Sequence, residues 1–266
     1  MRKARSLSVK WMVMLTLALA AAAGQEAPSP PLAQQRAEMM RRLAAQLRVQ
    51  TKEDAARYTQ EFREQITDRA RQLLKDHILE KLTECNGNAR IVADSLKPFG
   101  EPGWDRDGGG PFAFHATVYG DPVVITGFQF VRGPTGAPDI KPFVHAYRKR
   151  AGSWEFVAEA EDDLDGYVLT LEQLKSPRAN EMWLLAYGVT TGSNILSLRM
   201  RVYAFDGERF TTLLSPPDRP YGQVQVEGDQ IVVRSVAYDA DKRGRTERYW
   251  LSVSGVFLLT STLDGE

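Results

Sequence analysis

The spacing of apolar residues changes character near residue 100. Between 32 and 96 apolar side chains recur at every third or fourth position, whereas from 112 onward they alternate with polar ones in short runs separated by Gly, Pro, Asn and Asp. The first spacing lines up one stripe of a helix, and the second lines up one face of a strand. The chain is therefore read as α+β, with an N-terminal helical arm followed by an all-β antiparallel meander domain.

In the arm, Met39, Met40, Leu43 and Leu47 predict a first helix over 32–49. Thr51 with Asp54 resembles a capping box, with Asp in place of Glu or Gln, and predicts the start of a second helix. Its apolar stripe runs through Ala55, Tyr58, Phe62, Ile66, Ala70, Leu73, Leu74, Ile78 and Leu82, opposite Glu61, Arg63, Glu64, Asp68, Arg71 and Lys75. Asn86 and Gly87 tolerate positive φ and mark its end, and a third, short helix is expected over 89–96 before Pro98. A stripe of this apolarity must be covered, either by the β domain or by a second copy in a homodimer through the arm.

Residues 97–111 hold five glycines and three prolines, which predicts a linker between the helical segment 32–96 and the β domain 112–266. Twelve strands are expected over 112–119, 122–131, 142–149, 153–160, 166–171, 181–189, 194–205, 209–214, 223–227, 230–238, 246–253 and 256–261. They fall into three groups of four whose last hairpins look alike: Tyr147 then Gly152 and Trp154, Tyr203 then Gly207 and Phe210, Tyr249 then Gly255 and Phe257. Two readings follow. Either the domain is three propeller-blade-like repeats, one fewer than the roughly four blades at which propellers usually close, or it is a curved sheet or β-sandwich.

Ahead of the arm, Arg2, Lys3, Arg5 and Lys10 precede an apolar run over 11–23 that ends in Ala21-Ala22-Ala23-Gly24. This is the pattern of a secretory signal peptide over 1–24, with an apolar core too short for a mature membrane span. Pro28, Pro30 and Pro31 then make 25–31 a tether. The protein is accordingly expected to be exported to the periplasm or the extracellular space, with no stable membrane anchor after cleavage. Loss of the leader leaves 30 basic against 34 acidic residues. That balance disfavours nucleic acid and membrane surfaces, both of which select basic faces. Cys85 is the only cysteine, so no intramolecular disulfide forms.

The chain contains no nucleophile elbow, Ser-x-x-Lys, P-loop, dinucleotide-binding glycine motif or His-Glu-x-x-His. His77, His115 and His145 are too widely spaced to seed a zinc site by sequence. Glu159, Glu161, Asp162, Asp163 and Asp165 crowd the segment 159–165, and Asp162, Asp163 and Asp165 are the candidate calcium ligands. The bland alternative for this segment is a solvated loop, and the charged run 239–248 reads the same way. No other cofactor is implied. Trp154, Trp183 and Trp250 lie in predicted strands, where packing is the usual fate and a carbohydrate platform the alternative. The expectation is an exported, non-catalytic binding or structural protein whose partner is a protein or a glycan. Its rival is a glycoside-type hydrolase with scattered carboxylates.

Overall fold

The computed structural model describes residues 31–47, 59–100, 110–131, 140–160, 164–190, 196–236 and 243–263. Helix α1 spans Leu32–Gln46, α2 Gln60–Glu84 and α3 Ala89–Leu96, followed by a 3-10 turn at Lys97–Phe99. Helix α2 begins where the Phe62 N–H donates to Thr59 Oγ1 at 3.1 Å, and the expected cap at Thr51 and Asp54 lies outside the described residues. Its end is the predicted one. Asn86 has φ 51°, Gly87 has φ 80°, and the Gly87 N–H donates to Leu82 O at 2.9 Å, satisfying a carbonyl that the helix itself cannot.

The arm spends its stripe inside the molecule. Ile66, Ala70, Leu74, Ile78 and Leu82 of α2 join Ala37, Met40, Leu43 and Ala44 of α1 in one buried cluster with Val124, Phe128, Phe130, Phe143 and Tyr147 of the β domain. Phe62 and Leu73 pack on its margin, and Tyr58 lies outside the described residues. Met39, assigned to the stripe by spacing, is instead 54 % exposed, because Met40 beside it takes the inward position.

Among the described residues, thirteen strands form three antiparallel sheets. The first is a meander of β1 (Phe112–Val118), β2 (Asp121–Val131), β3 (Ile140–Arg150) and β4 (Ser153–Glu159). The second contains β5 (Tyr167–Leu174), β6 (Met182–Thr190), β7 (Ser197–Phe205) and β8 (Phe210–Leu214), and β9 (Arg219–Pro220) adds a two-residue pairing to β7. The third is made by β10 (Gln223–Glu227), β11 (Gln230–Val236), β12 (Gly244–Ser252) and β13 (Gly255–Leu263). The sheets stack face to face in chain order and close into neither a propeller nor a barrel. Among the described residues, no helix is long and apolar enough to cross a membrane.

One local element recurs in all three sheets. The register between third and fourth strands shifts at Ala146/Tyr147, at Val202/Tyr203 and at Arg248/Tyr249. Each shift leaves one extra residue on the fourth strand, which is the two-against-one count of a β-bulge. The following turns hold Gly152, Gly207 and Gly255 at φ 86°, 95° and 140°. All three tyrosines are buried, and each faces the layer before its own sheet: Tyr147 the helices, Tyr203 the first sheet, Tyr249 the second.

The opposite faces differ. In the middle of the first sheet Ile125 lies opposite Ala146, and in the second Leu185 lies opposite Val202, both pairs buried beneath the next layer. The third sheet has Val232 opposite Arg248 and, two residues on, Arg234 opposite Thr246. Arg234 and Arg248 both pair with Glu227, at 3.4 and 3.2 Å. Among the described residues no further layer follows, and this face is polar around Arg234 and Arg248 but carries exposed Trp250 and Phe257 nearer the β12–β13 turn.

Two glycine substitutions separate backbone strain from crowding. Both Gly87 and Gly152 have positive φ, but a Cβ on Gly87 would sit 2.3 Å from the Trp154 ring, whereas one on Gly152 meets nothing within 4 Å. Gly152→Ala is expected to cost about 1 kcal/mol and Gly87→Ala clearly more, about 3 kcal/mol, by urea denaturation. Equal losses would show that Trp154 does not seat the end of α2.

Candidate functional site

Residues Arg63, Thr67, Arg71 and Lys75 stand four apart, so they share one face of α2. That face looks onto the two ends of the acidic loop. Glu159, at the end of β4, is cross-strand partner to His145 of β3 and receives Arg71 Nε at 3.0 Å and Lys75 Nζ at 3.6 Å. Arg71 also pairs with Asp68 and lies 5.2 Å from the Phe143 ring centre, while Lys75 stands 3.8 Å above Phe156. Beyond the loop, Asp165 pairs with Lys141 at 3.2 Å. Between them lies a groove of about 370 Å³ lined by Arg63, Thr67, Asp68, Arg71, Lys141 and Asp165 together with Gln60 and Glu64.

Burial opposes charge on Glu159, but His145, Arg71 and Lys75 outweigh it and hold the carboxyl down at about 2. His145 is 1 % exposed, and burial holds its pKa below the usual value, so the ring is neutral at pH 7. Its Nδ1 lies 3.2 Å from the Tyr147 hydroxyl, and its Nε2 is 3.5 Å from Glu159, too long for a strong hydrogen bond. The charge on Glu159 is therefore balanced chiefly by Arg71 and Lys75. Burial, reinforced by the negative charges of Glu159 and Asp76, drives the pKa of the Tyr147 phenol well above its normal range, so the phenol keeps its proton.

The candidate calcium ligands are divided. Asp162 and Asp163 lie outside the described residues, and Asp165 is held by Lys141. The chain thus brings its own cations to both described ends of the loop. Among the described residues, no three His, Cys, Asp or Glu side chains group as a metal ion requires. The groove itself mixes Arg63, Arg71 and Lys141 with Glu64, Asp68 and Asp165, so its charges select neither an anion nor a cation.

The histidines do not meet. His115 is exposed on β1, which is separated from His145 on β3 by β2. His77 is fully buried against Phe99, with Nε2 3.2 Å from Ser95 Oγ, and burial lowers its pKa to about 4. Of the tryptophans, Trp183 is fully buried and Trp154 packs on the helical cluster, but Trp250 is 44 % exposed, with its Nε1 donating to Asp229 at 3.1 Å. Packing therefore does not account for all three.

Sequence reasoning missed two further features. Part of the charged run 239–248 is not a solvated loop: Glu247 lies in β12, is 3 % exposed, and accepts two hydrogen bonds from Arg219 at 2.6 and 2.9 Å. The other is a ridge of exposed apolar residues, Trp250, Val253, Phe257, Leu258 and Leu259, at the far end of the stack. The uncharged stretch over 255–263 was the available signal for it. The chain matches no family model, and neither a curated protein nor a solved structure matches it.

The Glu159 cluster makes a pH prediction. A depressed carboxyl pKa stabilises fully above the unfolded value near 4.5 and is lost as pH falls toward about 2. His77 and His145, both held low, add a decline that starts near pH 6.5, because the unfolded chain takes up the proton first. Glu159→Gln is expected to lower stability by about 2 kcal/mol at pH 7 and to flatten the acid limb below pH 4.5 while leaving the decline from pH 6.5. Melting curves between pH 2 and 8 check this, and parallel acid limbs would show that Glu159 is not the titrating group.

Proposed function

We propose that this is an exported, non-catalytic interaction protein, built as three propeller-blade-like repeats between two caps. The repeat reading is supported by the tyrosine, bulge and glycine turn that recur in each meander, and by the same face of each meander turning toward the preceding layer. Caps remove the need for a ring. The helices cover the first face, and the polar face around Arg234 and Arg248 ends the series, as terminal repeats do in stacked arrays.

The observation that favours binding over hydrolysis is the direction in which the carboxyls are shifted. A glycosidase needs one carboxylic acid held protonated near neutral pH beside an ionised one. Every resolved carboxyl shift among the described residues is downward: Glu84, Asp94, Glu159, Asp206 and Asp218. Asp218, for example, is held by Arg199 at 2.8 Å and accepts the Tyr167 hydroxyl at 2.6 Å. These groups are fixed as anions by their partners. The partner that the protein serves is a protein or a glycan rather than nucleic acid, since the processed chain is slightly acidic.

Exported protein is expected to begin near residue 24, and to leave a panel of aryl glycosides unhydrolysed. Amino-terminal sequencing and release of the aryl alcohol measure the two. Turnover that disappears in Glu159→Gln or Asp218→Asn would replace this reading with the hydrolase. Calcium at Asp162, Asp163 and Asp165 remains part of the proposal in one form only, in which the ion displaces Lys141 from Asp165. Millimolar calcium would then raise the melting temperature of the parent but not of the variant with all three changed to Asn.

A further inference from the structure

We infer that the outer face of the third sheet binds an uncharged glycan, with the Trp250 and Phe257 rings as its stacking platform; this rests on the interaction-protein reading above and names the site and the partner. The register of the sheet lays the outward side chains in three rows, each taking one residue from every strand. The row nearest the β12–β13 turn is Glu227, Gln230, Trp250 and Phe257. The next sets Gln225, Arg248 and Thr260 around Val232, and the last brings Arg234 to the same face. Phe257 and Thr260 are three residues apart and would point to opposite faces of a regular strand, but the bulge at Leu259 turns both outward.

Three properties of this face select a glycan. At the paired positions, exposed apolar surface belongs to the two rings alone: Trp250 is 44 % exposed and Phe257 49 %, whereas Val232 is inaccessible. Every other paired position carries an amide, a guanidinium, a carboxylate or a hydroxyl. A protein partner selects a patch depleted of charge at its centre, and the centre here is Arg248. A sugar ring presents apolar C–H groups above and below and hydroxyls around its rim, so it takes flat aromatic rings bordered by hydrogen-bonding groups.

The groups are also set before a ligand arrives. Trp250 Nε1 donates to Asp229 at 3.1 Å, Arg234 Nη1 donates to Gln225 at 3.0 Å, and Arg248 pairs with Glu227 at 3.2 Å. Little rotamer freedom is left to lose on binding. The same contacts cancel the charge, with Arg234 and Arg248 set beside Glu227 and Asp229, so the face favours neither a polyanion nor a cation. Its first row crosses four strands, about 15 Å, which is room for about three units of an extended β-1,4-linked chain.

Isothermal titration calorimetry of the full exported protein with cellotetraose and with chitotetraose, both uncharged β-1,4-linked chains, tests this. At least one is expected to bind with a Kd below about 1 mM that added salt leaves unchanged. Trp250→Ala is expected to weaken binding about tenfold, Trp250→Tyr to recover most of it, and Phe257→Ala to weaken it independently. Tyr119→Ala removes an aromatic ring that is 70 % exposed at the β1–β2 turn, and is expected to leave binding unchanged. No heat from either sugar overturns the inference, and so does binding that survives in both Trp250→Ala and Phe257→Ala or that added salt abolishes. Each of these results leaves the interaction reading standing, because that reading is decided by turnover of the aryl glycosides and not by binding of a tetrasaccharide.

Discussion

The constraint that shapes this molecule is that its first two meanders are apolar on both faces. An antiparallel sheet with one wet face needs a single packing partner, but a sheet with two dry faces needs two. Ile125 and Ala146 on one side of the first sheet, and Phe143 and Tyr147 on the other, are all nearly inaccessible. Such a sheet cannot stand at the end of a stack. The helical arm and the third sheet are therefore not accessories: the arm covers the first sheet, and the third sheet covers the second while turning outward a face that is polar around Arg234 and Arg248.

The recurring bulge explains how one pattern serves three sheets. An extra residue on the fourth strand increases local twist and turns the neighbouring side chains. Placed beside Tyr147, Tyr203 and Tyr249, it sets a large ring at the same point of each layer interface, and the rings find different partners there. Tyr147 stands edge-on to Phe156 beneath α2, Tyr203 stands edge-on to Phe210, and Tyr249 donates its hydroxyl to Glu247 at 3.3 Å. The backbone device repeats while the side chains around it diverge. That divergence makes the repeat easier to see in the strand register than in the residues.

What was legible in the sequence was local. The end of α2 follows from Asn86 and Gly87, and the three hairpins follow from glycines that must take positive φ, because in each case the determining residues lie within a few positions of the feature. Adjacent methionines defeated the helical spacing at Met39 and Met40, since both fit the same periodicity within one residue. The site was legible only as a concentration of acid. The partners of Glu159 lie far away, with Arg71 88 residues distant, and the burial of Glu247 depends on Arg219, 28 residues before it. Nothing in local composition announces a charge that another layer will neutralise. Strand β9 has only two residues and so no period to detect.

The buried polar residues follow the layers as the tyrosines do. His145, Arg201 and Glu247 each stand two residues before the tyrosine of their sheet, on the same face, and each is at most 8 % exposed. Each is tied to something outside its own meander or beside its boundary. His145 meets Glu159 under Arg71 and Lys75 of α2, Arg201 donates to Pro216 O at 3.4 Å, and Glu247 takes Arg219 of β9, which is attached to the second sheet. Buried ion pairs add little net stability over apolar residues of similar shape, yet removing one partner costs about 3–5 kcal/mol because the other charge is left in place. Such groups discriminate strongly between a correct and an incorrect neighbour. Apolar faces of similar outline would otherwise stack in more than one order, and His145 beneath the helices and Glu247 against Arg219 of β9 give two of the interfaces a polar partner that the others lack.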